Sequence, residues 1–451
     1  MRKLLIAAAE RAIRYLEGLN GRGVAPDPTV VARLAELDIP LPDHPSPADE
    51  TLALLDSYGA ATMAMAGPRF FGFVVGGALP AALAANWLAG SWDQMSGLAE
   101  VTPLPAKLEE VALRWLRDVL GLPPETGVGF VTGATVANFT CLAAARNSVL
   151  KQAGWDVEAD GMFGAPEVAV VVGEEAHVSL FKSLGLAGFG RNRVVRVPVD
   201  KQGRMRADMF PNLSGPTIVC LQAGNVNSGA FDPAPEIIPK AKAANAWVHV
   251  DGAFGLWAAA APSKAHLLAG YAGADSWATD AHKYLNTPYD SGLAFVRYPD
   301  VLQAAMAVSA AYLPSSSTRD PANFTPEMSR RARGIEVWAA LRTLGRSGLA
   351  DLVERTCRHA VRFAEGLRAA GYSILNEVML NQVLVTFGDA ERTRRVIAGI
   401  QQDGTCWCGG TIWQGQTAMR ISVSSWATTD ADVERSLEAM ICVARETADP
   451  R

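Results

Sequence analysis

The sequence predicts an α/β protein built on a mostly parallel sheet, and three observations predict it. Apolar runs of strand length recur at Val128 to Thr132, Glu167 to Gly173, Pro216 to Ala223 and Trp247 to Asp251. Helical segments such as Val136 to Leu150 and Pro235 to Ala246 separate them, the alternation that covers both faces of a parallel sheet. Crossovers of ordinary length then bring the carboxyl ends of the strands to one edge, where open α/β sheets place their ligands.

Composition narrows the class. A chain of 451 residues, 49% hydrophobic and 19% charged, reads as a globular protein with a large core. Its net charge of -5 and pI of about 5.8 offer no basic footprint for nucleic acid, so a small substrate is expected. The start, Met1-Arg2-Lys3 and the apolar residues after it, resembles a signal peptide until Glu10-Arg11 interrupts too short an apolar core, and it reads as an amphipathic first helix. No run approaches the roughly 20 apolar residues of a membrane span. The cysteines are dispersed, and the one close pair, Cys406 and Cys408, lacks a second pair for a tetrahedral zinc site. No metal and a reducing, cytoplasmic setting are therefore expected.

In chain order, residues 1 to about 60 show helical periodicity broken by Pro26, Pro28, Pro40, Pro42, Pro45 and Pro47, which mark linkers between short helices. Pro68 to Gly77 interleaves Phe70, Phe71 and Phe73 with glycines, either a loop where backbone approaches a ligand or a buried β-segment. Leu108 to Leu120 reads as an amphipathic helix closed by Gly121 and Pro123-Pro124. Gly133-Ala134-Thr135 is a tight strand-to-helix turn whose amides and helix dipole favour an anion, with Thr135 able to cap the helix and reach a phosphate. Its spacing from Gly127 and Gly129 is one residue too long for a dinucleotide fingerprint. His177 follows the next strand, as a capping residue or a site residue. The last stretch, from about 341, reads as a smaller αβ domain with strands near Val383 to Phe387 and Met419 to Ser424. Arg420 on the second of these is either a planar clamp for a carboxylate or a rim salt bridge.

The chemistry concentrates in Trp-Val-His249-Val-Asp251-Gly-Ala253 and Asp280-Ala-His282-Lys283-Tyr284. An acid and a lysine at neighbouring strand ends are what pyridoxal 5′-phosphate needs: a Schiff-base amine, and a carboxylate that keeps the pyridine nitrogen protonated. As a set, these motifs resemble the group II pyridoxal-phosphate-dependent amino-acid decarboxylases, relatives of the aromatic-L-amino-acid and glutamate decarboxylases. Asp280-x-His282-Lys283-Tyr284 also looks like sphingosine phosphate lyase. The resemblance runs from about Pro68 to the C-terminus.

It implies a fold-type I enzyme with a mostly parallel seven-stranded sheet, a smaller C-terminal αβ domain and an N-terminal helical arm, assembled as a homodimer with active sites at the interface. The corresponding ranges are 1–80 for the arm, 81–340 for the cofactor-binding domain and 341–451 for the small domain. By the same resemblance Lys283, His177 and Asp251 are catalytic, acting through a Schiff base and a quinonoid intermediate. Gly133, Ala134, Thr135, Ala253, Asp280 and His282 join them in holding the cofactor, and Phe71, Phe73, Phe324 and Arg420 line the substrate pocket. The apolar character of Pro68 to Gly77 favours a bulky apolar or aromatic L-amino acid.

Five places depart from the family pattern. Phe73 stands where the aromatic decarboxylases carry a tyrosine, Val136 where many relatives have an acid, Asn225-Val226 where they have threonines, and Asp280 where aromatic decarboxylases have asparagine. The region Ser315 to Phe324 lacks the tyrosine that returns a proton after carbon dioxide leaves, and Tyr312 or a partner-chain group is left to substitute. The reading is an amino-acid decarboxylase, with an aldehyde-forming oxidative deaminase, a carbon–carbon lyase or an aminotransferase as alternatives.

Overall fold

The computed structural model describes residues 1–308 and 319–447. They form two compact units, one of residues 78–358 and 376–382, the other of residues 1–77, 359–375 and 383 onward.

The larger unit carries a seven-stranded sheet: β1 (Gly127–Val131), β2 (Ala169–Gly173), β3 (Val194–Val197), β4 (Thr217–Gln222), β5 (Trp247–Asp251), β6 (Ser276–Asp280) and β7 (Gly292–Val296), in the order β1-β7-β6-β5-β4-β2-β3. β7 is antiparallel to both neighbours, and the other pairings are parallel, so β7 alone is reversed and six carboxyl ends share one edge. The mostly parallel sheet is as the sequence predicts; β3 and the reversed β7 are additions. β5 and β6 are buried along their whole length, so the polar side chains they carry, His249 and Asp251 on β5 and Ser276, Thr279 and Asp280 on β6, are buried with them. Asp251 stands opposite Gln222 on β4 and Ala278 on β6, at the outgoing end of the sheet.

The helix Ala134–Gln152 follows β1 and lies over β5, β6 and β7. Its inward residues are small, with Ala137, Cys141, Ala144 and Ala145 all buried, so its axis comes close to the sheet. Closest approach is between glycines: a Cβ on Gly292, the first residue of β7, would stand 2.4 Å from the Gly133 Cα. The predicted helix Leu108 to Leu120 is Pro103–Val119, because prolines are tolerated in a first helical turn. The long helix Gly334–Ala369 is broken at Gly345, whose φ of 59° is outside helical space.

The smaller unit has a four-stranded sheet in the order β10-β11-β9-β8, made of β8 (Ser373–Ile374), β9 (Gln382–Thr386), β10 (Gly409–Trp413) and β11 (Gln416–Ser422). Its N-terminal helices Arg2–Gly18, Pro28–Ala32 and Ala48–Ser57 bury no residue. Among the described residues no helix is long and apolar enough to cross a membrane.

Gly292→Ala is expected to cost about 1–3 kcal/mol, the usual penalty for overpacking, because backbone and not a flexible side chain meets the new methyl. Gly18→Ala, with open space around it, is the control. Thermal unfolding of the two variants checks this.

Candidate active site

The site is assembled at the carboxyl edge of the large sheet from β5, β6 and the start of the helix Ala134–Gln152. Asp251 ends β5 and is buried. Its Oδ1 accepts from the Ala253 amide at 3.2 Å and its Oδ2 from Asn138 Nδ2 at 3.1 Å. Asp280 ends β6, and its Oδ1 accepts from the Ala134 amide at 2.6 Å. Its Oδ2 is 2.7 Å from Lys283 Nζ, so one carboxylate bridges the helix N-terminus and the lysine. Lys283 sits in the turn after β6, three residues past its end, and not on the strand itself.

His282 is packed between these groups. Its Nε2 is 3.5 Å from Asp280 Oδ1, its Nδ1 accepts from the Ser291 amide at 3.2 Å, and its ring stacks on Tyr289 with centroids 4.2 Å apart. Burial lowers its pKa more than Asp280 raises it, so the ring is held toward the neutral form. The Ser291 bond then leaves the proton on Nε2, facing Asp280.

The capping residue of the helix Ala134–Gln152 is Gly133, with no side-chain cap. Thr135 is the second helical residue, so the capping role expected of it is corrected: the chain enters the helix two residues earlier. Space explains the glycine, since a Cβ there would meet His282 Cε1 at 3.2 Å and Asp280 Oδ1 at 3.4 Å. His177 caps the helix Val178–Leu186, its Nδ1 accepting from the Ser179 amide at 3.3 Å, and it shares a small cavity with Asp251, Gln222 and Asp232. Ser183 Oγ donates to the Thr135 carbonyl at 2.8 Å and ties that helix to the cradle.

Phe324 is buried in the core beside β1, with the Arg319 guanidinium 4.2 Å above its ring. Phe71, Phe73 and Arg420 belong to the smaller unit. There Phe71 is buried edge-on to Phe363, Phe73 is 60% exposed and stacks on Trp407, and burial lowers the Arg420 pKa. Tyr312 and residues 315–318 fall outside the described residues. Asn138, His249 and Ser276 were not predicted to act at the site. His249 carried a spacing signal, two residues before Asp251 on the same strand face, while Asn138 and Ser276 carried none that stands apart from packing.

The residues suit a phosphorylated aldehyde cofactor. A primary amine, a buried acid and the amides of a helix N-terminus meet within two strand ends, and the glycine cradle leaves space where a side chain would fill it. Beside Lys283 and His282, the buried Thr287 and Ser291 hydroxyls have no hydrogen-bond partner among the described residues, donors that an added anion would satisfy.

Comparison with known proteins agrees. The profile described as the pyridoxal-dependent decarboxylase conserved domain matches residues 37–388. The chain belongs to the pyridoxal-dependent decarboxylases. It is 27% identical to tryptophan decarboxylase 1 of Oryza sativa subsp. japonica, over 94% of this chain and 90% of that one. It is 24% identical to 4-hydroxyphenylacetaldehyde synthase of Rhodiola rosea, over 81% and 79%. The crystal structure of Oryza sativa TDC with PLP and tryptamine superposes with a TM-score of 0.90 at 24% identity, covering 99% of this chain and 97% of that one. This decarboxylase family is pyridoxal-phosphate-dependent and acts on amino acids, and the fold is that of its solved members.

Two outcomes are expected of this decarboxylase. Asp280→Asn removes a negative charge from the cradle and the counter-charge from Lys283. The cofactor-free protein should melt lower and bind inorganic phosphate tighter by on the order of tenfold, read by calorimetric titration; unchanged affinity would mean that Asp280 turns away from the cradle. His249, which burial pulls from its ordinary 6.5 to about 3, stays unprotonated in the fold while the unfolded chain takes up a proton. Its contribution to stability is complete above pH 6.5 and declines as pH falls toward 3. His249→Gln should therefore melt with less acid sensitivity between pH 7 and 5. Asp232, pushed up to about 6 by burial, acts in the opposite sense in both proteins and cancels in the comparison.

Proposed function

We propose that this enzyme decarboxylates an L-amino acid with a bulky apolar or aromatic side chain. The observation that carries the proposal is the placing of Asp251 and Lys283 beyond adjacent strand ends beside the N-terminus of the helix Ala134–Gln152. In this reading Lys283 supplies the amine for covalent attachment of the cofactor, and Asp280 lies 2.7 Å from that amine. Gly133, Ala134 and Thr135 form the turn that would cradle the phosphate, Asp280 holding the Ala134 amide, and His282, whose Nε2 proton faces Asp280, would border it. Asp251, one oxygen of which Ala253 fixes, would supply the carboxylate for the ring nitrogen. His177, held by its own helix cap and sharing a small cavity with Asp251, would help to hold the ring. When bound, pyridoxal phosphate supplies an electron sink for the bonding pair left at the α-carbon. The tryptophan decarboxylase relative supports an aromatic substrate.

A second reading is favoured by the likeness to an aldehyde synthase. If no group returns a proton to the α-carbon, dioxygen can take two electrons from that carbon, and water then releases an aldehyde and ammonia, with the carboxylate lost as carbon dioxide and the oxygen leaving as hydrogen peroxide. Tyr312 is our candidate proton donor, on its place in the sequence alone.

Product analysis with a pool of L-amino acids, in air and under nitrogen, tests both readings. Amine in both atmospheres supports decarboxylation; aldehyde that appears only in air supports the second reading; no consumption of any amino acid rejects both. Tyr312→Phe should move product from amine toward aldehyde. Lys283→Ala should abolish turnover and borohydride trapping of the cofactor, whereas Asp251→Ala should keep trapping and lose all but a small fraction of turnover.

We also propose a homodimer. The N-terminal helices leave Leu5, Ile6, Ile13, Leu54 and Leu55 exposed, an apolar surface suited to a second copy. Deleting residues 1–57 should yield a monomer by sedimentation. The cysteines, all free thiols, fit a reducing, cytoplasmic setting.

A further inference from the structure

Behind Asp251 lies a chain of buried polar side chains. Trp247 Nε1 is 2.9 Å from Ser276 Oγ, Ser276 Oγ is 2.9 Å from His249 Nδ1, His249 Nε2 is 2.8 Å from Asn138 Oδ1, and Asn138 Nδ2 is 3.1 Å from Asp251 Oδ2. All five residues are buried. We propose that Asn138, His249 and Ser276 are positioning residues that form a one-way donor chain, started by the Trp247 indole, which fixes the orientation of the Asp251 carboxylate.

The direction follows from the first link. An indole N–H can only donate, so Ser276 Oγ accepts from Trp247 and its own hydrogen is left for His249 Nδ1. His249 then carries its proton on Nε2 and donates to Asn138 Oδ1. That fixes the Asn138 amide, whose Nδ2 is thereby turned to Asp251; a flipped amide would set oxygen against carboxylate. The one competing group near Ser276 is the Cys141 thiol, which lies 3.6 Å and 3.5 Å from the carbonyls of Trp277 and Phe295 and donates there. Burial keeps His249 neutral, as a single-proton link requires. Every acceptor is supplied, so reversing any one link strands a buried donor, at a cost of about 1–3 kcal/mol.

The placement explains the residue types. His249 and Asp251 share one face of β5, and Ser276 is the β6 residue paired with His249. The helix Ala134–Gln152 crosses that face, and Asn138 is the side chain that spans from histidine to carboxylate. An alkyl residue at 138 would remove the side-chain donor to Asp251 and leave it the Ala253 amide, and one at 249 would leave the Asn138 amide free to flip.

The inference rests on the reading of Asp251 as the partner of the ring nitrogen, but its first test does not. In 15N-histidine-labelled, cofactor-free protein, with His249→Gln supplying the assignment, His249 should show a protonated Nε2 and an unprotonated Nδ1 at pH 7. A proton on Nδ1 overturns the chain whatever Asp251 does. The second test uses cofactor-loaded enzyme. His249→Leu and Asn138→Leu should move the pH midpoint of the bound cofactor's visible absorption by about one unit and weaken cofactor affinity about tenfold, the size of one hydrogen bond to a charged group. His249→Gln, whose amide nitrogen replaces Nε2, should stay near wild type. Ser276→Ala, the smallest deletion, should shift the midpoint in the same direction as the leucine variants even if these fold poorly. Val250→Ala, on the opposite strand face, should lower the melting temperature without moving the spectrum. Wild-type spectra in Ser276→Ala, or equal damage by glutamine and leucine at 249, would overturn the proposal.

Discussion

Two carboxylates buried at the ends of adjacent strands set the terms for the large unit. Asp251 and Asp280 are each almost withdrawn from water, and a buried charge is tolerated only where donors replace the water it has lost. Both draw donors from one source. Asp280 takes the first amide of the helix Ala134–Gln152, and Asp251 takes the side chain one turn further along it. That helix must therefore lie close to the sheet. The alanines and Cys141 along its inner face, and the glycine pair at 133 and 292, are the steric consequence.

This constraint explains how far the sequence could be read. β5 was legible because a strand buried on both faces runs largely apolar, and the acid that ends it stands out against that run, whereas β6, with Ser276, Thr279 and Asp280, was marked by the motif that leads to Lys283. The reversal of β7 was not legible, since strand direction leaves no trace in hydrophobic pattern. β3 is short and partly exposed, so it lacked the apolar run that marked its neighbours. At the site, Lys283 and Asp251 were recognisable as an amine and an acid beyond neighbouring strands. Asn138 and Ser276 were not, because a single polar residue in an apolar helix or strand reads as packing until the element facing it is known. The Gly133-Ala134-Thr135 turn was read as an anion cradle but with the wrong cap. Threonine is the better capping residue by intrinsic preference, and the closeness of His282 and Asp280 overrides that preference.

Asp280 is the sharpest departure from the asparagine of aromatic decarboxylases, and the structure gives it a physical account. A carboxylate beside an anion cradle would be destabilising if its lone pairs faced one another across it. Here one oxygen is turned to a backbone amide and the other to an ammonium, so both lone-pair sets are engaged before any ligand arrives. The acid acts as an internal anion that ties the cradle to the lysine.

The same economy governs the histidines. His177, His249 and His282 lie on different elements, yet each has a serine group at Nδ1: the Ser179 amide, the Ser276 hydroxyl and the Ser291 amide. A backbone N–H at Nδ1 leaves a neutral ring no choice but to carry its proton on Nε2, and at His249 the Trp247 indole imposes the same outcome through Ser276. Two of these Nε2 protons lead to carboxylates, from His282 directly toward Asp280 and from His249 through Asn138 to Asp251. The tautomers are thus set from outside the site by groups that cannot titrate, and the acids at its centre are oriented by them.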